Sequence, residues 1–234
     1  MSNYQVFSAE NGEIISKAPA KLVNSVMGWM MLGLACTGVV SLFVTWTPGL
    51  AYALMSGFRA YILFAIEIGL VVWLSARVHK MSASMATSVF LGYAVLNGIT
   101  LSPILLIYTH SSVFSAFLIS SLAFGATAAY GYTTERELSA MGSFLMIGLF
   151  GIILASVANI FLGLSGLSFA ISLLAVVIFA GLTAYDMQRI KANAAAAGSS
   201  SVEFRRLSII GALSLYLNFI NMFIHLVSLL GDRR

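Results

Sequence analysis

Charge is what this chain has least of. Lys, Arg, Asp and Glu make up 9% of its 234 residues, while hydrophobic residues make up 60%. A soluble domain carries roughly 25% charged residues, so the shortage excludes a water-soluble globular protein and leaves an integral membrane protein. Cysteine is scarcer still. Cys36 is the only one, so no intrachain disulfide can form, and inside an apolar run it reads as a small buried hydrophobe. The three histidines, His79, His110 and His225, fall on separate segments. That spacing offers no metal-ligand cluster and no Ser/His pair. Aspartyl proteolysis needs two catalytic carboxylates, and no GxGD-type motif is present. Composition thus points away from an enzyme. The net charge of +4 is scattered around apolar runs as loop anchors, not gathered into a nucleic-acid surface.

What is present is a series of long uncharged runs, and they divide the chain into two parts. Residues 1–22 form a polar N-terminal tail. Residues 23–231 read as an all-α membrane domain, a bundle of seven transmembrane helices. The run from Leu22 to Thr47 is too long for a signal-peptide core and lacks a cleavage pattern, so it reads as a retained first span. Pro48-Gly49 ends it, giving span one at about 23–46. Span two lies between Arg59 and Arg77, near the lower length limit for crossing. Met81 to Thr134 carries no Lys, Arg, Asp or Glu and is broken by Thr109-His110-Ser111-Ser112 into spans at about 84–108 and 113–132. Leu138 to Tyr185 is broken by Gly163-Leu164-Ser165-Gly166 into a span at about 142–162 and one from about 167, continuing to about Ala197. The last run is Leu207 to Gly231. With seven spans, nine basic residues lie on the side of the N-tail: Lys17, Lys21, Arg77, Lys80, Arg136, Arg189, Lys191, Arg205 and Arg206. Arg59, Arg233 and Arg234 lie on the other. Basic loops stay inside, which predicts a cytoplasmic N-terminus. A seventh segment that enters and returns would put both ends inside, and the terminal arginine pair argues mildly for it.

The last run carries a polar stripe. Gly211, Ser214, Asn218, Asn221 and His225 recur at steps of three and four, which places them on one helical face. Hydrocarbon cannot satisfy such a face, so it turns toward other helices or a wet cavity. Small and polar residues glue helices together, and intramembrane polar groups also line functional paths; the stripe alone does not choose between them. Two charges cannot escape into loops, Glu67 in span two and Asp186 in span six. A carboxylate at such depth costs on the order of 2–3 kcal/mol to insert and persists when paired, protonated or lining a pathway. Counting along antiparallel helices at about 1.5 Å per residue, Asp186 and Asn218 each lie 11 residues from the turn between them. Glu67 reaches a similar depth from the same face. These counts predict one polar site made by Asp186, Asn218 and Glu67, with Ser214, Asn221 and Asn97 as supporting lining. The competing reading makes Asp186 a helix-end residue paired with Arg189 or Arg205.

Other features are weaker. LNGITLSP carries Pro103, which frees a backbone carbonyl that neighbouring hydroxyls can cover. Asn159 reads as an interhelical hydrogen bonder, Tyr130 and Tyr132 as aromatic-belt residues, and His79 and His110 as solvated loop residues. The methionines read as adaptable core filler.

GITLSP, YGYTTERELS, GLTAYDMQRIK and ALSLYLNFINMF together resemble the Bax inhibitor-1 family, in its bacterial YccA-like branch, over about residues 23–231. The resemblance implies seven helices with the last one central, in a bacterial inner membrane. It implies a pH-sensitive calcium leak controlled by an aspartate pair in the last two helices. Some bacterial relatives are instead tied to a membrane-anchored AAA protease, and eukaryotic relatives suppress cell death. The first aspartate matches Asp186. The second falls at Asn218, where the family pattern LDFIN reads LNFIN here. An Asp–Asn pair cannot repel itself as two carboxylates do, and it offers calcium, which prefers several oxygen ligands, one charge fewer. Asp186 remains a possible weak calcium contact. Glu67 matches an acidic position in the second helix. No cofactor is expected beyond calcium as a permeant or weakly bound ion.

Two functions follow. One is a passive cation leak gated by the Asp186–Asn218 pair near Glu67. The other is a regulator without a pore that binds a membrane protease or another membrane partner through residues 1–22 and the lipid-facing helices. If the pair is a proton-sensitive latch, Asn218→Asp will sharpen the pH response of calcium flux in liposomes. An identical flux-versus-pH curve for both proteins would dismiss the latch.

Overall fold

The computed structural model describes the backbone of residues 3–77, 80–194 and 200–234, with side chains except those of 3–18, 75 and 76. His79, the expected turn near Ala197 and the side chains of the polar tail up to Ala18 lie outside the described residues. The described elements are all helices: α1 (Asn3–Trp46), α2 (Leu50–Met55), α3 (Phe58–Arg77), α4 (Ala83–Ile107), α5 (His110–Thr133), α6 (Ser139–Leu162), α7 (Ser165–Asn193) and α8 (Ser201–Leu230). Six stretches among them are long and apolar enough to cross a membrane: Pro19–Trp46 of α1 and the whole of α4, α5, α6, α7 and α8. Helix α3, at 20 residues, carries Arg59, Glu67 and Arg77 and is not one of the six.

Local chemistry sets the helix ends. Gly49 takes φ 76°, a left-handed conformation that glycine adopts without penalty, and it turns the chain out of α1 beyond Pro48. The short α2 that follows has no buried residue and is too short for a hydropathy reading to separate from its surroundings. Ser82 caps α4 by accepting from the Met85 N–H, and Thr109 caps α5 by accepting from Ser112. Ser200 caps α8 by accepting from the Glu203 N–H. That cap starts α8 six residues before Leu207, so Glu203, Arg205 and Arg206 ride on the helix and not in a loop. Helix α4 runs on through Pro103. The proline cannot donate to the Ile99 carbonyl, and the Ser102 hydroxyl does so instead at 2.7 Å, which is the cover the LSP sequence predicts.

Packing sorts the helices. Helix α8 packs against α1, α4, α5 and α7; α6 packs on α7, and α3 on α4 and α2. In α8, 61% of the most apolar window is buried, against 11% in α6. Helix α8 is therefore far more enclosed by its neighbours than α6. The outer face of α6 shows Phe144, Ile147, Phe150, Leu154, Ile160 and Phe161, an apolar surface suited to lipid. The core beneath is aromatic at its centre: Tyr216 of α8 meets Phe90 and Tyr93 of α4 edge to face, with ring centroids 5.7 and 6.0 Å apart. The Tyr216 hydroxyl, fully buried, pairs with Thr37 Oγ1 of α1 at 2.7 Å, and Thr37 donates in turn to the Ala94 carbonyl of α4 at 2.9 Å. One polar chain thus ties α1, α4 and α8 together.

Helix α8 is continuous for 30 residues, so the reading of a segment that enters and returns is not adopted. Its far end is fixed to the α4–α5 turn. Thr109 N–H donates to the Asp232 carbonyl at 3.0 Å, Arg234 N–H to the Ile107 carbonyl at 2.9 Å, and Asp232 N–H to Ser112 Oγ at 3.0 Å.

Helices α5 and α7 touch backbone to backbone at Gly131, where a Cβ would meet the Ala184 carbonyl. Neither partner is a movable side chain, so Gly131→Ala is expected to destabilise the purified protein by about 1–3 kcal/mol, as overpacking does. Gly151→Ala, at a position open on all sides, is expected to be neutral or slightly stabilising through helix propensity. Unfolding curves in detergent micelles check both.

Candidate functional site

The stripe on α8 splits between two neighbourhoods. Toward α7 lie Ser214, Asn218 and His225. Asn218 Nδ2 donates to Asp186 Oδ2 at 2.8 Å, and both side chains are buried. The other carboxylate oxygen, Asp186 Oδ1, pairs with Arg189 Nη2 at 3.1 Å, one turn further along α7. Arg189 also donates to Ser214 Oγ at 3.3 Å and lies over the Tyr185 ring. Asp186 is therefore held from both sides, by an amide from α8 and a guanidinium from its own helix. Both sequence readings of Asp186 hold in part: it meets Asn218 inside the bundle, and it pairs with Arg189. Higher on the same interface, His225 Nδ1 lies 3.3 Å from Ser172 Oγ, with its ring stacked on Phe179.

Toward α3 and α4 lies Asn221. Its Nδ2 donates to the Leu217 carbonyl at 2.8 Å, and its side chain lines a cavity of about 210 Å³ together with Glu67, Tyr93, Asn97 and Thr100. Asn97 Nδ2 donates to Glu67 Oε1.

Glu67 does not join Asp186. Helix α3 packs on α2 and α4, whereas α7 packs on α1, α5, α6 and α8, and no hydrogen bond or ion pair among the described residues links the two carboxylates. The expected three-way site is two sites on different flanks of α8. Rise along a helix gives depth and says nothing of direction around the bundle. The register count fails as well. Asp186 lies seven residues before the end of α7 and Asn218 seventeen after the start of α8, because α8 begins at its Ser200 cap and overhangs α7.

Around Asp186 the donors are N–H groups, and the chemistry is that of a clamp. A cation contacting this carboxylate would compete with Arg189 for Oδ1 and with Asn218 for Oδ2. Among the described residues no three His, Cys, Asp or Glu come close enough to hold a metal ion. The arrangement stores one buried charge between α7 and α8, and a change of its protonation breaks the ion pair.

Residues that the sequence reading passed over fix the frame of this site. Gln188, two residues beyond Asp186, accepts from the Leu138 N–H at 2.9 Å and donates to the Arg136 carbonyl at 2.8 Å. Lys191 donates to the Tyr132 carbonyl at 2.8 Å and stands over its ring. The end of α7 thereby clasps the α5–α6 turn. Arg206 donates to the Met81 carbonyl at 3.0 Å and pairs with Glu203. The i, i+2 and i, i+5 spacing of Gln188 and Lys191 from Asp186 near a helix end was the available signal. Asn159 bonds across the α6–α7 turn to Leu164 and Ser168, as an interhelical bonder should.

Comparison with known proteins is consistent. A family profile described as inhibitor of apoptosis-promoting Bax1 matches residues 20–234. The inner membrane protein YbhL of Escherichia coli K12 is 40% identical over 215 residues, spanning 89% of this chain and 90% of that protein. The uncharacterized protein RP147 of Rickettsia prowazekii is 43% identical over 211 residues, spanning 89% and 88%. YrjE of Lactococcus lactis is 36% identical over 211 residues, spanning 90% and 84%.

The two partners of Asp186 differ in worth. Asn218 is buried, whereas the Arg189 side chain is 44% exposed. Double-mutant cycles on detergent-solubilised protein are expected to give about 1.5–3 kcal/mol for Asp186 with Asn218, a hydrogen bond to a charged group, and about 0.2–1 kcal/mol for Asp186 with Arg189, a partly screened pair. The reverse order would show that the ion pair, and not the amide, holds α7 to α8.

Proposed function

This chain belongs to the Bax inhibitor-1 family, and from that premise we propose that it lets a cation pass down its gradient across the bacterial inner membrane, controlled at the Asp186–Asn218 pair. It is a multi-pass membrane protein. In this reading α3 crosses with the six long apolar helices, giving seven crossings, with α8 central and the N-terminus in the cytoplasm. The six long helices, the burial of α8 and the distribution of basic loop residues support that arrangement.

The observation that carries the reading is a carboxylate, 8% exposed, bridged between two helices by an amide. An unpaired charge there would be costly, so the site persists only while Asn218 and Arg189 both face it. Protonation of Asp186 removes the attraction to Arg189 and reduces the bond to Asn218 to a neutral one, about half as strong. The α7–α8 contact then loosens, and a path beside α8 opens. With Asn218 in place of a second acid, opening comes from loss of attraction and not from carboxylate repulsion. Calcium flux is therefore expected to be weaker and less steeply pH-dependent than in relatives with an aspartate pair.

Flux through purified protein in vesicles tests this. Calcium and monovalent-ion entry should be measurable with the native chain and lost or uncoupled from pH in Asp186→Ala, with helix content checked by circular dichroism. Absence of flux in the native protein would sink the channel reading. If the protein instead co-purified with a membrane-anchored AAA protease, and removal of residues 1–22 ended that association, the regulator reading would replace it.

A further inference from the structure

The flank of α8 away from Asp186 poses a separate problem. Glu67 stands on α3 between Phe64 and Ile68, both exposed on the apolar outer face of that helix. Its carboxylate has an amide N–H from Asn97 but no cationic partner: among the described residues the ion pairs are Arg189–Asp186 and Arg206–Glu203. The Thr100 hydroxyl is also within hydrogen-bonding reach of it, but a negative charge at the edge of hydrocarbon is expensive, and neutral donors do not cancel it. A proton or a bound cation does.

The surroundings supply oxygens. The Asn97 side chain, 5% exposed, lines the cavity, and its Oδ1 has no hydrogen-bond partner although it is buried. A buried acceptor left unmatched costs about 1–3 kcal/mol, so an orphan beside a carboxylate calls for a donor or a cation. Thr100 Oγ1 lies 3.1 Å from the Asn97 carbonyl and also faces the Glu67 carboxylate, and its lone pairs are open to a cation. Asn221 gives its Nδ2 to Leu217, which leaves its Oδ1 for the cavity. Tyr93 Oη lies 3.5 Å from Asn97 Nδ2. The walls therefore offer one carboxylate and a set of neutral oxygens from α3, α4 and α8, around a space of about 210 Å³.

We propose that this cavity binds one monovalent metal cation, sodium or potassium, with Glu67 as its single charged ligand and Asn97, Thr100 and Asn221 completing the shell. Charge decides the valence. One positive ion on one carboxylate makes a neutral pair that hydrocarbon tolerates; a divalent ion leaves an uncompensated charge, and calcium usually draws on several carboxylates among six to eight oxygens. The bound ion bridges α3 to α4 and α8, and so fastens the helix that otherwise packs on α2 and α4. The inference shares Glu67 with the permeation reading but does not require that any ion pass through.

The test uses the full chain in detergent micelles. Sodium chloride and potassium chloride are titrated against choline chloride at constant ionic strength. Binding is followed by equilibrium dialysis with radiolabelled sodium, and stability by the thermal midpoint. The native chain should bind one ion saturably and melt at a higher temperature when it does. Glu67→Gln, which keeps an oxygen for Asn97, should abolish both effects. Glu67→Asp, which keeps the charge on a shorter arm, should retain weakened binding even if the glutamine variant folds poorly. Asn97→Ala should weaken affinity at least about tenfold, in the range seen when groups around a bound metal are removed. Asp186→Asn should leave binding unchanged. No saturable binding of either ion, binding indifferent to Glu67→Gln, or displacement by an equal or lower concentration of calcium would each overturn the proposal. Flux without binding would remove this site and spare the channel; binding without flux would do the opposite.

Discussion

Hydrocarbon returns no hydrogen bonds, and the architecture of this protein follows from that fact. The hydroxyls of α5 bond back to their own turns, but Asn218, Tyr216 and His225 on α8 have to find partners on other helices, and α8 is the more buried helix. Ser214 and Asn218 find Arg189 and Asp186 on α7, His225 finds Ser172, and Tyr216 reaches Thr37 across to α1. Helix α6 carries its bulky apolar side chains outward instead and sits at the edge.

The same rule separates the two membrane carboxylates. Asp186 is satisfied by protein: an amide on one oxygen, a guanidinium on the other. Glu67 meets only neutral donors, the Asn97 amide and the Thr100 hydroxyl. The first is a clamp between helices that changes strength with protonation. The second is a ligand in a lined cavity. Treating both as members of one acidic path would blur two kinds of chemistry that α8 keeps apart.

Much of this was legible before any coordinates. Uncharged runs and their Pro, Gly and Ser/Thr breaks place α4, α5 and α6 within about three residues, because apolar length and turn chemistry are local, whereas α1 begins at Asn3, about twenty residues before the apolar run that marks its span. The Asp186–Asn218 contact was legible because consecutive antiparallel helices must be neighbours, so matching their depths leaves few other partners. Glu67 was misassigned because its helix is not consecutive with α7, and depth alone leaves the angle around the bundle undetermined. The start of α8 was misplaced because charge was taken as the end of a helix, whereas the Ser200 cap decides it. The Gln188 and Lys191 clasp leaves only a faint trace, polar residues spaced near a helix end, since it donates to the Arg136 and Tyr132 backbone carbonyls and accepts from the Leu138 backbone N–H, none of which has a side-chain signature.

The docking of residues 232–234 onto the α4–α5 turn has a consequence for assembly. Asp232 and Ser112 are 120 residues apart, so that turn is made long before its partners leave the ribosome. Closing so long a loop is slow relative to local helix formation. The turn must wait at the membrane with Ser112 and the Thr109 N–H turned to water or headgroups. The contacts at Ser112 and Thr109 thus belong to the late steps of assembly, formed only after residues 232–234 have been made.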